Sequence, residues 1–459
     1  MTLKMICSTP QNSLHSSSPG VGTLSQHDEA VLWLQNLIRD VDSRACRGSG
    51  SLHPCVASLR DLIRGRAQLR MWASAMFEEV PNKIPYNRVD GAEPPRSPVR
   101  GYEHMLELLS VIVPEVAPTW SLAAAGIGLM GLPFQAVLDW PMGTPSGHAF
   151  FLDGEVNACF RAMLAAWRDG LLATGRSRGV LTTAPGHWLS PEAVAAMERD
   201  ANLDPGRRYT FAQLFACDPD GDPAHWGFRS WDDFFTRRFR DVDRLRPVGY
   251  PDEPAWVVSP CEATPAAIKS EVREVDQFWL KGTGYSVSDM LGRHPWAGRF
   301  VGGTVHQSVL MTTSYHRWCA PVSGRVVHAA VLPGTYFSER STNGLGSEPV
   351  LPPLYNLVYL SHVATRAVVF IEADGPVGLM CFLAIGVADV SSCEVLPKFM
   401  AGWPQPITKG EELGSFHYGG SSQCLLFRRG LKLAFAEGAL PGNRNRNLAV
   451  RSPLAHAYV

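Results

Sequence analysis

Apolar residues along the first half of the chain recur at the spacing of amphipathic helices. Between residues 28 and 69 they return every three or four positions, so that each predicted helix has one apolar face. Ser190 precedes Pro191 and Glu192, which is typical of an N-cap followed by the first turn of a helix. We therefore predict further helices over residues 102–113, 149–172, 190–202 and 231–239.

The pattern changes after Pro247. Short runs of β-branched residues alternate there with Gly, Pro and Asn, as in compact antiparallel sheets. Strands are predicted over residues 255–259, 324–331, 357–361, 367–371 and 378–386. The sequence thus predicts an α+β fold, with a flexible tail over residues 1–27, a mainly helical domain over 28–250 and a β-rich domain over 251–459.

Length and charge narrow the range of partners. The 459 residues suffice for about two to three domains with a sizeable core. The 42 Lys and Arg residues balance 43 Asp and Glu residues, so no net field recruits nucleic acid or an anionic membrane surface. The basic run over residues 237–246 is interleaved with aspartates, and we expect a solvated helix face whose charges pair with one another.

Neither a membrane span nor a secretory signal is predicted. The most apolar run, residues 122–138, is short and interrupted by glycines, so we expect a buried helix or turn. Residues 1–22 lack the apolar stretch of a signal peptide. Ten scattered cysteines form no Cys-x-x-Cys pair and no zinc spacing, which favours free thiols in a reducing compartment. We therefore expect a cytoplasmic protein without bound metal or stable membrane insertion.

One segment near the C-terminus combines small residues with two hydroxyls. Gly419 and Gly420 precede Ser421 and Ser422 within GSFHYGGSSQCLLF, residues 414–427. Gly-Gly-Ser-Ser is common in linkers, so an ordinary loop is one interpretation. The other is a strained scissile peptide, because glycine permits a backbone geometry in which the following Ser hydroxyl attacks the preceding carbonyl.

Five more segments accompany KGEELGSFHYGGSS (residues 409–422) in the second half of the chain. They are SWDDFFTRRFRDVDRLRPV (230–248), VVSPCEA (257–263), FWLKGTGYSVSDMLG (278–292), SYHRWCAPVSGRV (314–326) and PGTYFSE (333–339). In this order the six resemble the phosphatidylserine decarboxylase family of pyruvoyl enzymes, especially its soluble fungal subgroup that includes tryptophan decarboxylases. The helical first half resembles the extra N-terminal region of the fungal amino-acid decarboxylases.

The resemblance implies that the chain cuts itself between Gly420 and Ser421. Ser421 Oγ would attack the Gly420 carbonyl, and elimination and hydrolysis would leave a pyruvoyl group at the new N-terminus. The fragments, residues 1–420 and 421–459, would remain associated. The pyruvoyl carbonyl would form a Schiff base with an amine substrate and act as an electron sink, without pyridoxal phosphate or metal.

The resemblance also implies an Asp/His/Ser arrangement for the cleavage, and this chain departs from it twice. The carboxylate position is Glu262, and the second His of the family's YHRxH motif is Cys319. A Cys319 thiolate is one possible base, and His316 and His417 are the alternatives. His316, the first His of the motif, is also the candidate for returning a proton to the substrate carbanion.

Two further pairs match the family. Lys281 and Gly282 match a Lys-Gly turn, for which a structural role is implied. Gly386 and Val387 belong to a degraded copy of a segment that lines the family's pocket.

Three functions follow for testing. The first is decarboxylation of a small L-amino acid to its amine, with an aromatic amino acid such as tryptophan as the family's example and secondary metabolism as the setting. The second is decarboxylation of phosphatidylserine to phosphatidylethanolamine. The third is a non-cleaving scaffold, motivated by Cys319 in place of the processing His. The residues leave the identity of the amino acid and the oligomeric state open.

Overall fold

The computed structural model describes residues 26–45, 51–83, 86, 96–121, 131–204, 206–276, 284–340, 353–387, 392–442 and 446–458. Lys281 and Gly282 lie outside these ranges. Up to residue 245 the described chain is helical. Its helices are α1 (Gln26–Ala45), α2 (Pro54–Gly65), α3 (Ala67–Ala75), α4 (Tyr102–Glu115), α5 (Pro133–Met142), α6 (Pro145–Leu152), α7 (Gly154–Trp167), α8 (Pro191–Ala201), α9 (Phe211–Leu214), α10 (Trp231–Phe235) and α11 (Val242–Leu245).

Helix capping explains where several of these helices begin. Ser190 Oγ accepts a hydrogen bond from the Ala193 amide at the start of α8, which confirms the predicted N-cap. The region predicted as one helix over residues 149–172 is divided, because Asp153 caps a new helix through the amides of Glu155 and Val156. Helix α7 continues into a π-helical turn, Arg168–Leu172. Helix α10 ends at Phe235, four residues before the predicted end at 239.

The second half of the chain forms antiparallel sheets. Its strands are β1 (Trp256–Val258), β2 (Thr264–Ser270), β3 (Thr304–Leu310), β4 (Arg317–Cys319), β5 (Gly324–Leu332), β6 (Arg366–Ala373), β7 (Leu379–Gly386), β8 (Ser392–Val395), β9 (Gln405–Ile407), β10 (Glu412–His417), β11 (Ser421–Phe427), β12 (Lys432–Phe435) and β13 (Pro453–Tyr458). In the part of this half that the structure describes, the α-helices between the strands are α12 (Val287–Met290), α13 (Pro353–Val363) and α14 (Pro397–Met400). The predicted α+β class is confirmed.

Within the described residues the strands form three sheets. The central sheet has the order β2-β3-β11-β7-β6-β5-β9, and the two smaller sheets have the orders β4-β10-β8 and β1-β13-β12. Strand β11 therefore lies inside the central sheet, between β3 and β7. Strand β10, which precedes it in the chain, belongs to a different sheet.

One strand prediction is wrong. Residues 357–361 lie in helix α13, where Val358 and Leu360 are buried against the central sheet. The run is short and apolar, and such a run fits a buried strand and a buried helix equally well. For the run over residues 122–138, residues 122–130 lie outside the described ranges and Pro133 begins α5.

The two faces of the central sheet pack against different cores. Ser421, Gln423, Leu425 and Phe427 alternate along β11 onto one face, which we call the Ser421 face. Leu425 and Phe427 belong to a hydrophobic cluster that also contains aromatic residues of the helical half, including Trp167, Trp231 and Phe235. Cys424 and Leu426 point to the other face and a second cluster. The helical half therefore covers the Ser421 face.

The expectation of a solvated basic face whose charges pair with one another is wrong at several positions, and two of them are Arg238, which pairs with Glu412, and Asp243, which pairs with Arg451. Arg237 and Arg246 are buried, and Asp232 pairs with His417 of strand β10. Arg237 lies over the ring of Phe215, with its guanidinium carbon 4.6 Å from the ring centre. Only the outer charges pair locally as expected, in the ion pairs Arg229–Asp233 and Arg244–Asp241.

The sequence predicted no membrane-spanning helix and favoured free cysteines. None of the helices within the described ranges is long and apolar enough to cross a membrane. The cysteines in those ranges carry free thiols: Cys55, Cys159, Cys217, Cys261, Cys319, Cys381, Cys393 and Cys424.

Candidate active site

The Gly420–Ser421 bond lies at a corner between two sheets. Strand β10 ends at His417 and β11 begins at Ser421, so Tyr418, Gly419 and Gly420 turn the chain from one sheet into the other. Gly419 has φ +86°, in the left-handed region that strains residues with a side chain. A Cβ atom on Gly420 would meet no atom of the described residues within 4 Å.

The two serines after the glycines have different environments. The Ser421 hydroxyl is fully buried and has no hydrogen-bond partner among the described residues. The Ser422 hydroxyl points to the opposite face, where it donates to the Ser308 carbonyl at 2.9 Å. It also accepts from Gln307 Nε2 at 3.1 Å. Among the described residues, the Ser422 hydroxyl is thus held by hydrogen bonds and the Ser421 hydroxyl is not.

The Gly420 carbonyl is held by a backbone donor. The Val387 amide donates a hydrogen bond to Gly420 O at 3.1 Å. Val387 directly follows Gly386, which pairs in register with Ser421 across β7 and β11. A donor in this position polarises the carbonyl and stabilises negative charge that develops on its oxygen. The sequence pointed to Gly386 and Val387 only as a pocket lining, because an amide contact across strands leaves no motif of its own.

His316 is a buried neutral histidine beside this corner. Its ring stacks on Phe235 with 4.0 Å between centres, and its carbonyl accepts from the Phe416 amide in β10. Its Nε2 lies 3.3 Å from the Thr312 carbonyl, an acceptor, so Nε2 carries the proton. Nδ1 then has the lone pair and no partner among the described residues. Burial and the charge of Arg237 lower the pKa of His316 to about 3.

Cys319 lies at the other end of the same strand pair. It pairs with Glu412 at the start of β10, whereas His316 lies near the end that leads to Ser421. Its Sγ is 3.6 Å from the Ser259 carbonyl, to which the thiol donates. Burial raises the pKa of this thiol to about 12. The thiolate form that a base would need is therefore suppressed.

Glu262 forms a buried ion pair. Its two carboxylate oxygens accept from Arg246 Nε at 2.6 Å and Nη2 at 2.8 Å, and both side chains are buried. The carboxylate raises the pKa of Arg246 although burial acts against it. Within the described residues no hydrogen bond joins Glu262 to Cys319. The structure thus does not bring the predicted carboxylate and the Cys at the processing position together as a hydrogen-bonded pair.

His417 lies between two carboxylates at the end of β10. Nδ1 is 2.6 Å from Asp232 Oδ1, and Nε2 is 3.0 Å from Glu394 Oε2. Burial alone would lower the pKa of His417, but the hydrogen bonds and charges of Asp232 and Glu394 outweigh it and raise the pKa. The two carboxylates thus favour the imidazolium form of His417 and engage both of its ring nitrogens.

Sequence reasoning missed both carboxylates around His417. Asp232 belongs to the SWDDFF segment that carries the family resemblance, and this is the one signal that could have pointed to it. Glu394 lies on the edge strand β8, where it pairs in register with Ser415. Among the described residues, no group of three or more His, Cys, Asp or Glu side chains could hold a metal ion.

Aromatic side chains from the helical half enclose the corner. Phe235 contacts His316 on one side and Tyr418 on the other, with 5.8 Å between the Phe235 and Tyr418 ring centres. Trp167, at the end of α7, packs edge-on against Tyr418 at 6.1 Å. The helical half therefore supplies part of the wall around the Gly420–Ser421 bond.

Comparisons with known proteins identify the family of the chain. A family model described as phosphatidylserine decarboxylase matches residues 231–445, and a second model with the same description matches residues 53–197. Decarboxylase iboD of Amanita muscaria is 36% identical over 339 residues, which cover 72% of this chain and 92% of that protein. An L-tryptophan decarboxylase of Psilocybe cubensis is 34% identical over 323 residues, covering 68% of this chain and 71% of that protein.

A bacterial relative shares a shorter region. The phosphatidylserine decarboxylase proenzyme of Bacillus mycoides is 29% identical over 205 residues, covering 45% of this chain and 70% of that protein. Together with the site geometry, these matches define a decarboxylase. The chain belongs to the phosphatidylserine decarboxylase family, in a subgroup with the fungal decarboxylases.

Proposed function

We propose that the chain is a proenzyme that cuts itself between Gly420 and Ser421 and then decarboxylates an L-amino acid to its amine. The observation that carries the proposal is the contrast between the two serines. Ser421 Oγ is buried and unpartnered among the described residues, whereas Ser422 Oγ is held by two hydrogen bonds. The carbonyl that precedes Ser421 already accepts from the Val387 amide.

The proposed self-cleavage needs only Gly420, Ser421, a base and one water molecule. Ser421 Oγ adds to the Gly420 carbonyl carbon, the C–N bond breaks, and an ester to Ser421 forms with a free amine at residue 421. Loss of the Ser421 α-proton expels the Gly420 carboxylate and leaves dehydroalanine. Its tautomer takes up water and releases ammonia, which leaves the pyruvoyl group at the start of the 421–459 fragment.

His316 is the proposed base for this cleavage. Its Nδ1 carries a lone pair with no partner among the described residues, and its low pKa keeps the ring neutral over the physiological range. Both ring nitrogens of His417 are engaged by carboxylates, which raise its pKa, and burial raises the pKa of the Cys319 thiol. A ring with a pKa of about 3 is a weak base, and slow cleavage is sufficient for a step that each chain performs once.

In the mature protein the pyruvoyl group would supply a carbonyl that accepts an amine and withdraws the electrons left by loss of CO₂. His316 Nδ1, which carries the lone pair, would take up a proton from the substrate ammonium group and return it to the carbanion. The buried aromatic residues Phe235, Tyr418 and Trp167 would exclude water from the corner. A small amino-acid substrate is supported by the relatives named for it and by the helical half that covers the Ser421 face.

Intact mass and a denaturing gel test the cleavage. We expect purified protein to give fragments of residues 1–420 and 421–459, and Ser421→Ala to remain one chain. Ser422→Ala is the matched control and should still be cut. Borohydride in the presence of an amine should add mass to the 421–459 fragment alone. An uncut wild-type chain without a reactive carbonyl would contradict the proposal and favour the scaffold function.

The substrate class is tested with cut protein. L-tryptophan, other L-amino acids and phosphatidylserine vesicles are supplied separately while CO₂ release is followed. We expect release from an amino acid. Release from the lipid alone would overturn the amino-acid proposal and favour phosphatidylserine decarboxylation.

A further inference from the structure

Gln423 lies two residues beyond Ser421 on the same face of β11. In register, Ser421 pairs with Leu310 and Gly386, and Gln423 pairs with Ser308 and Ala384. Directly paired residues of antiparallel strands point to the same side, so these residues form two adjacent rows of the Ser421 face. Gly386 and Ala384 add little bulk beside Ser421 and Gln423. On the other side Leu310 and Ser308 flank the same two positions, and Gln423 is the next side chain along β11 on the face of Ser421.

The Gln423 carboxamide is buried without partners. Its side chain has no exposed surface, and neither Oε1 nor Nε2 makes a hydrogen bond to any described residue. A buried amide without partners is costly, and buried polar groups in native proteins are nearly always satisfied. On the opposite face, the buried Gln307 carboxamide shows the usual arrangement, with bonds to Ser422 Oγ, Tyr285 OH and the Leu357 carbonyl. Gln423 has a hydrogen-bonding capacity that a ligand could fill.

The spacing between Ser421 and Gln423 on one face of the strand suits an amino-acid side chain. Same-face positions on a strand are roughly 6.5 to 7 Å apart. A substrate whose α-amine reacts at residue 421 would extend its side chain over about this length. The carboxamide is neutral and offers both donors and acceptors. It therefore matches an uncharged side chain with a hydrogen-bonding atom, and it offers no counter-charge to a carboxylate or an ammonium group.

We propose that the Gln423 carboxamide binds the polar atom of the substrate side chain and so selects amino acids with a neutral hydrogen-bonding group, such as a ring N–H, over hydrocarbon analogues of the same shape. This inference rests on the proposed function, because it takes residue 421 as the reacting position. Gln423 is a specificity-determining residue in this proposal and takes no part in the self-cleavage.

The test compares substrate pairs that differ in one hydrogen-bonding group. L-tryptophan is paired with its N1-methyl and benzothienyl analogues, and L-tyrosine with L-phenylalanine. The ratio of kcat/KM within each pair is measured for wild type and Gln423→Leu. In the pair that contains the better substrate of the wild-type protein, we expect Gln423→Leu to reduce the preference for the member with the hydrogen-bonding group by about 10- to 100-fold. A readout independent of turnover is the rise in unfolding temperature caused by the matching amine products. In wild type the polar amine should cause the larger rise, and in Gln423→Leu this difference should disappear.

Controls separate this proposal from its premise. Gln307→Leu removes a buried carboxamide from the opposite face and should lower stability while the substrate ratio stays unchanged. Gln423→Leu should be cut to the same extent as wild type. If wild type is cut and active but Gln423→Leu leaves every ratio unchanged, or lowers activity equally for both members, the Gln423 inference is wrong. A wild type that is neither cut nor active refutes the proposed function itself.

Discussion

The Val387 amide donates to the carbonyl oxygen of Gly420 across 3.1 Å. The donor belongs to the chain that follows β7 and the acceptor to the corner before β11, and the two strands are held in register by the Gly386–Ser421 pair. The donor is thus in place before any reaction begins. In self-cleavage the carbonyl oxygen gains negative charge, and a preorganised donor stabilises that charge without further rearrangement.

We predict that Val387→Pro slows self-cleavage, because proline lacks the amide hydrogen. Loss of one such donor typically costs about 10²- to 10³-fold in rate. A gel time course of freshly purified protein measures the fraction cut. Val387→Ala keeps the amide and should be cut at nearly the wild-type rate. Equal rates for the proline and alanine variants, both folded by circular dichroism, would show that this donor contributes nothing.

A second prediction concerns Cys319. With its pKa raised to about 12, only about one thiol in 10⁵ would be ionised at pH 7. We therefore expect Cys319→Ala to change the rate of self-cleavage by less than about threefold, and His316→Phe, which keeps a ring beside Phe235, to slow it by roughly 10²- to 10⁴-fold. Both rates come from the same gel assay, with thermal unfolding as the check on folding.

The opposite result would reassign the base. If Cys319→Ala stays uncut while its unfolding temperature is unchanged, the thiol takes part in the cleavage. Faster cleavage by Cys319→His would identify position 319 as a site from which an imidazole reaches the reacting atoms. If His316→Phe cleaves itself at the wild-type rate, His316 is not the base.

The ion pairs of His417 predict a pH-dependent contribution to stability. The pKa of His417 is raised in the folded protein, so this stabilisation is fully present below the unfolded value of about 6.5 and is lost as the pH rises through the folded value. In the uncut Ser421→Ala background, Asp232→Asn should cost about 1 to 3 kcal/mol at pH 6 and less at pH 9, measured by urea unfolding. Asp233→Asn is the control.

Asp233 is the neighbouring carboxylate, and its partner Arg229 is largely exposed. The cost of Asp233→Asn should be small and equal at the two pH values, because neither group titrates between them. A cost for Asp232→Asn that is also equal at pH 6 and pH 9 would mean that His417 does not titrate through these carboxylates.

The sequence was sufficient to predict features that residues close together in the chain form by themselves. Ser190 caps a helix that begins at the next residue, and the GGSS segment lies at a buried corner that its glycines permit. Contacts between distant segments were not predictable in this way. Asp232 and His417 are 185 positions apart, and nothing in the alternating charges of residues 229–246 distinguishes Asp232 from its exposed neighbours. The Val387 donor is a backbone atom, which no residue type specifies.

Buried histidines predict a loss of stability in mild acid. Burial lowers the pKa of His306 and His362 to about 4 and that of His316 to about 3. Between pH 6 and pH 5 the unfolded chain would bind these three protons and the folded chain would not, so the free energy of unfolding falls as the pH falls. At no more than about 1.4 kcal/mol per proton and pH unit, and with the unfolded imidazoles only partly protonated at pH 6, these three histidines should together contribute a loss of about 3 to 4 kcal/mol.

Urea unfolding of uncut Ser421→Ala at the two pH values measures this loss. His417 acts in the opposite direction, because a pKa raised in the folded state means that the folded chain binds this proton at least as well as the unfolded chain does. His306→Gln should reduce the acid loss by about 1 kcal/mol, and adding His362→Asn should reduce it by a similar amount. If the parent protein is equally stable at pH 6 and pH 5, these imidazoles are not held neutral, and the low pKa of His316 on which its assignment as base depends would be wrong as well.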